Sequence, residues 1–147
     1  MNEKIFSNIN YKIDKDKLFD QLYINNESDQ KKITKMINNT KNIAVPKGIF
    51  KEVYIDEKKD DFVIIDNIKF NSRILCVNLD KIHRVFPFII TSGQEIYEWA
   101  QNVDGILEQY WADKIQEQIL QTAIKYVFDF IKESYELKKT AIMNPGS

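Results

Sequence analysis

From Ile106 to Tyr135 apolar residues recur at helical spacing: Ile106, Tyr110, Ile115, Ile119, Leu120, Ala123, Ile124, Val127, Phe128, Ile131 and Tyr135. A stripe this wide has to be covered, so the rest of the chain must supply a core for one long helix. Asp104 to Tyr135 reads as that helix, with Asp104 positioned to cap it and Gly105 separating it from a shorter helix through Ile96, Trp99 and Ala100. Ser92-Gly93-Gln94-Glu95 has the spacing of a capping box for the shorter one.

On a helical wheel Lys114, Gln118, Gln121, Lys125, Asp129 and Lys132 gather on the side away from most of the stripe, as a solvated face does. Asp113 and Glu117 fall instead in the directions of Leu120, Ile124 and Phe128. Two readings follow. Either the two carboxylates face inward or toward a cleft, where burial demands a cation, backbone donors, water or a ligand. Or the first turns of the helix overhang the core and both carboxylates are wet.

The remaining composition narrows the function. At 147 residues one domain with a real core is expected. The formal net charge of -1 argues against nucleic acid or an anionic membrane as partner. A single cysteine, Cys76, precludes an intramolecular disulfide or a cysteine cage, and a single histidine, His83, precludes a histidine-based metal site. There is no signal peptide and no apolar run of membrane-spanning length, so a soluble cytoplasmic protein is expected.

Along the chain, residues 1–10 read as a loose arm or edge strand. Residues 1–43 otherwise form a helical N-terminal part: one helix capped by Asp14, a second starting at Ser28 or Asp29. Val45-Pro46-Lys47-Gly48 punctuates. Ile49–Ile55 is strand-like, Asp56–Asp61 a charged hairpin loop, Phe62–Ile65 its partner strand, and Asp66-Asn67 a turn before Ile68–Phe70. Ile74–Leu79 and Phe86–Thr91 read as buried runs in the same series, with Pro87 at an edge or bulge. Two helices, three to five strands, a short helix and a long one predict an α+β fold: a mostly antiparallel, twisted sheet crossed by the long helix. Trp99, Tyr110 and Trp111 could leave an aromatic face for a homodimer or another partner, with Trp111 the best placed for the core.

Three features in order resemble the activation (AdoMet-binding) domain of cobalamin-dependent methionine synthase, and especially small stand-alone bacterial proteins of that type. They are Ala44-Val45-Pro46 leading into Phe50-Lys51-Glu52-Val53-Tyr54; Ile90-Thr91-Ser92-Gly93-Gln94-Glu95-Ile96 followed by Ala112-Asp113-Lys114-Ile115-Gln116-Glu117; and Asn144-Pro145-Gly146. The resemblance spans roughly residue 44 to the end. It implies a protein that binds S-adenosylmethionine (AdoMet) and docks on a corrinoid protein or methionine synthase, the cobalamin being carried by that partner. In such systems a reduced flavoprotein supplies the electron and AdoMet the methyl group that restore the cobalt. Glu117 would match the family's acidic AdoMet residue and pair with the ligand's ammonium, with Asp113 beside it. Pro145 and Gly146 would match the Pro-Gly loop, where backbone can approach a ligand closely. The family continues beyond that loop, so a truncation after residue 147 is expected. At the family's Arg and Tyr positions stand Ile142 and Ser147. Ile cannot clamp a carboxylate as Arg does. The alternative expectation is therefore a docking or protective module that has lost AdoMet.

Overall fold

The computed structural model describes residues 2–144. The elements are β1 (Glu3–Phe6), α1 (Lys15–Leu22), α2 (Glu27–Thr40), β2 (Lys47–Lys51), β3 (Val53–Lys58), β4 (Val63–Ile65), β5 (Ile68–Phe70), α3 (Arg73–Asn78), β6 (Arg84–Val85), β7 (Phe88–Thr91), α4 (Gln94–Gln101) and α5 (Ile106–Ser134). The fold is α+β, as expected. The strands form a three-stranded sheet, order β1-β2-β7, and a four-stranded sheet, order β5-β4-β3-β6. The chain divides into two compact units: Phe6–Gly48 with Ile90–Glu136, and Ile49–Ile89 with the chain ends.

The first unit is helical and is organised by α5. This helix packs on α1, α2 and α4. Its buried line is Trp111, Ala112, Ile115, Gln118, Ile119, Ala123, Val127 and Ile131. Leu18, Ile24, Ile33, Ile37, Ala44 and Ile96 close the core around Trp111. Farther along, the rings of Tyr126 and Phe130 meet the Phe6 ring edge to face at 6.1 and 5.3 Å. Asp14 caps α1 as expected, its Oδ1 accepting from the Lys17 amide at 3.0 Å. The second helix starts slightly earlier than expected, because Asn26 is the cap and accepts from the Asp29 amide at 2.8 Å.

Gln118 departs from the wheel reading. It lies a heptad after Trp111, which puts it in the buried line rather than on the solvated face. Its amide group is satisfied there. Oε1 accepts from the Asp14 backbone amide at 2.7 Å, and Nε2 donates to the Asp14 carbonyl at 3.2 Å. One side chain thus fastens the start of α1 to α5, which is why a buried Gln is tolerable.

The second unit holds the four-stranded sheet. β3 pairs antiparallel with both β4 and β6, and β4 with β5. The strand Ile49–Ile55 expected from sequence is two strands in different sheets, broken at Glu52, whose amide donates to the Asn2 carbonyl. The charged loop is shorter than expected, because β3 runs on through Lys58, with a register irregularity between Ile55 and Glu57. Asp66 and Asn67 turn the β4–β5 hairpin with φ of 51° and 63°. Asp and Asn tolerate that left-handed pair, which matches the twist of the strands.

The run Ile74–Leu79 is not a strand. Arg73–Asn78 is a short helix, capped by the Ser72 hydroxyl, which accepts from the Leu75 amide at 3.1 Å. Cys76 and Leu79, three apart, turn inward with Leu75 beside them, while Ile74 and Val77 are exposed. A short apolar run reads alike as strand or helix; the cap at Ser72 is what decides here. Past the far end the Lys58 ammonium donates to the carbonyls of Leu79, Asp80 and Ile82 at 3.1, 2.8 and 3.0 Å, tying the turn after the helix to β3.

Candidate functional site

Stretches far apart in sequence meet at the start of α4. Gly93 has φ of +100°, a conformation side chains resist, and a Cβ there would stand 2.7 Å from the Val45 carbonyl oxygen. The loop is held on its other flank by Thr91, whose Oγ1 accepts from the Gly93 amide at 3.1 Å. Ser92 is buried, and its Oγ accepts from Gln116 Nε2 of α5 at 3.2 Å. Lys47 Nζ donates to Glu95 Oε1 at 2.8 Å. The segments around Val45, Ser92 and Gln116 are thus one junction, built by a glycine that admits a carbonyl and by three side-chain bonds.

This arrangement replaces the capping box expected from sequence. Gly93 itself is the N-cap of α4, and no side chain caps it. Its backbone geometry leaves Ser92 one residue too early to cap, so the hydroxyl turns to Gln116 and the carboxylate of Glu95 to Lys47. Likewise Gly105, not Asp104, is the N-cap of α5, again without a side-chain cap. The Lys47 hydrogen bond, then one from its own backbone amide, hold the Glu95 carboxyl below its ordinary pKa. Both side chains are close to half exposed, so the pair is screened and weak.

Asp113 and Glu117 do not face inward. Both are exposed. Leu120 and Ile124 are only half-buried flank residues of the stripe, and one or two turns earlier nothing covers that flank. Glu117 Oε2 takes a bond from Lys114 Nζ at 3.1 Å, a surface pair three residues apart. That bond, with the attraction behind it, holds the Lys114 ammonium above its ordinary pKa. Pro145 and Gly146 lie outside the described residues. Ile142 is exposed. The junction therefore gathers the neighbours of the expected ligand residues, but not those residues themselves. What sequence reasoning missed is Ser92, Gly93 and Gln116 as partners; Gly93 inside the Ser-Gly-Gln-Glu run was the available signal.

The aromatic residues sort cleanly. Trp111 is core, Trp99 packs half-buried against it, and Tyr110 is half exposed. Ile106, Leu107 and Tyr110 leave the first turns of α5 apolar and uncovered, and Tyr97 does the same on α4. Among the described residues no group of three or more His, Cys, Asp or Glu is placed to hold a metal ion, and no helix is long and apolar enough to cross a membrane. No family model, no curated protein and no solved structure matches the chain.

Proposed function

We propose that this chain is a docking accessory for the reductive reactivation of a corrinoid methyltransferase such as methionine synthase, working in the cytoplasm on a partner that carries the cobalamin. The observation that supports the reading is the junction at α4. Pieces of the first two segments that carry the family resemblance, scattered from Val45 to Gln116, are neighbours in space. A coincidence of short motifs has no reason to be assembled by a positive-φ glycine and a buried serine. The docking face in this reading is the α4–α5 elbow, where Tyr97, Ile106, Leu107 and Tyr110 present apolar surface.

The described residues suit AdoMet poorly. Glu117 is already engaged by Lys114, and an ammonium arriving there would compete with that pair in open solvent. Ile142 offers no charge to a ligand carboxylate. The docking reading without AdoMet is therefore favoured, and no chemical step is assigned to a residue of this chain. Any chemistry belongs to the partner's cobalt and its reductant, this protein contributing position.

Sedimentation with a purified corrinoid methyltransferase tests the proposal. A complex at about 10 μM or tighter is expected in at least one cobalt redox state. No complex in any state sinks it. Calorimetry with AdoMet separates the two versions: binding below about 1 mM restores the AdoMet-dependent one.

A further inference from the structure

The structure assigns a second site: a groove between residues 8–15 and the C-terminal half of α2 that takes an organic phosphate. It lies in the helical unit, has a volume of ≈ 640 Å³, and is independent of the junction and of the docking proposal. That size falls in the range of small-molecule clefts.

Its rim is made of donors. Lys12, Lys15 and Lys41 line it, and none of the three makes an ion pair among the described residues, whereas most other pairings of this chain use a lysine. Asn8, Asn10 and Asn38 add amide groups with no side-chain bond of their own among the described residues. No carboxylate lines the groove. Three ammonium groups on a chain of net charge -1 form a local positive field that the composition hides. The hydroxyl protons nearby are already given away. The Tyr11 hydroxyl donates to the Thr40 carbonyl at 2.9 Å, and the Thr34 hydroxyl to the Gln30 carbonyl at 2.7 Å. The donors left open are the three ammonium groups and the Asn amides, which suit a ligand that brings acceptors and more than one negative charge, the chemistry of a di- or triphosphate.

The floor is apolar. Its accessible part is Tyr11 and Ile13, both half-buried, with Ile9, Ile37 and Ala44 packed behind them. A bare inorganic anion leaves that surface unused, so a phosphate joined to a flat or apolar group fits better. The site repels a cation, which separates it from any AdoMet site, since AdoMet carries a sulfonium where a nucleotide carries phosphates.

Calorimetry on the whole chain at low salt, with no corrinoid protein present, tests this. ATP is the probe, pyrophosphate the arm without an apolar group, and AdoMet the arm of opposite charge. ATP should bind below about 1 mM and weaken as salt is raised. Pyrophosphate should bind about ten-fold more weakly and AdoMet not at all. The triple variant Lys12→Gln, Lys15→Gln, Lys41→Gln should lose at least about ten-fold in ATP affinity with an unchanged melting temperature, because the three side chains are exposed and make no ion pair among the described residues. ATP binding that survives the triple variant, or that AdoMet matches, overturns the site. Pyrophosphate binding as tight as ATP overturns the organic part of the assignment. A folded chain that gives no heat with millimolar ATP overturns it altogether.

Discussion

The two units solve burial differently. The helical unit buries Trp111, Leu18, Ile33, Ile96, Ile115 and Ile119 almost completely around one helix. The sheet unit has a smaller cluster of Val53, Val63, Ile65, Cys76 and Leu79, with Phe50 also buried, and leaves Tyr54, Ile68, Phe70, Ile74 and Val77 exposed. Every residue of its edge strand β5 is exposed. One unit is held by packing in depth; the other leans on turn chemistry and on polar ties such as Lys58 to the α3 end. The resemblance-bearing junction thus lies in the unit with the deeper core, where substitution is expected to cost most.

Substitutions can break that contrast. Trp111→Ala removes the largest buried side chain and should cost about 3–5 kcal/mol in denaturant unfolding. Gly93→Ala forces a side chain into φ +100° and against the Val45 carbonyl, and should cost about 2–4 kcal/mol. If instead it is neutral, the junction is looser than described. Gln118→Leu leaves the Asp14 amide without its acceptor, the Asp14 carbonyl keeping the Leu18 amide, for a loss of about 1–3 kcal/mol. In the sheet unit, Asn67→Gly relieves a left-handed asparagine and should raise stability by about 0.5 kcal/mol, read as a shift in the denaturation midpoint.

The smallest effect is on pH. The folded state depresses the Glu95 pKa, so the contribution of its pair with Lys47 is present above the ordinary carboxylate range and is lost as pH falls through the folded value. Glu95→Gln should flatten the acid limb of a stability–pH curve slightly, and salt should flatten it further, since the pair is half exposed. An acid limb unchanged by Glu95→Gln removes the pair from the account.

The same contrast governs what was legible in sequence. The long stripe from Ile106 was readable because a helix facing a deep core repeats its pattern over many turns. The Asp14 cap and the Asp66-Asn67 turn were readable because each uses a residue suited to a local backbone need. Arg73–Asn78 was not, because one and a half turns of Ile, Leu and Val carry no period that tells helix from strand. Of the two readings of Asp113 and Glu117 the wet one holds, because a wheel gives direction, not cover: a flank that is half-buried at Leu120 is open at Glu117. Gln118 is the residue the wheel puts on the wrong face, since its polarity outweighs its heptad relation to Trp111. Ser92 with Glu95 looked like a cap because spacing says nothing of the glycine's φ between them.

Hydrogen–deuterium exchange of the chain with and without a corrinoid methyltransferase tests docking through the helical unit most directly. Docking there slows exchange over α4 and the first turns of α5, residues 94–110, while the β4–β5 hairpin exchanges as before. Exchange over 94–110 that is unaltered by saturating partner, or protection confined to the sheet unit, contradicts it.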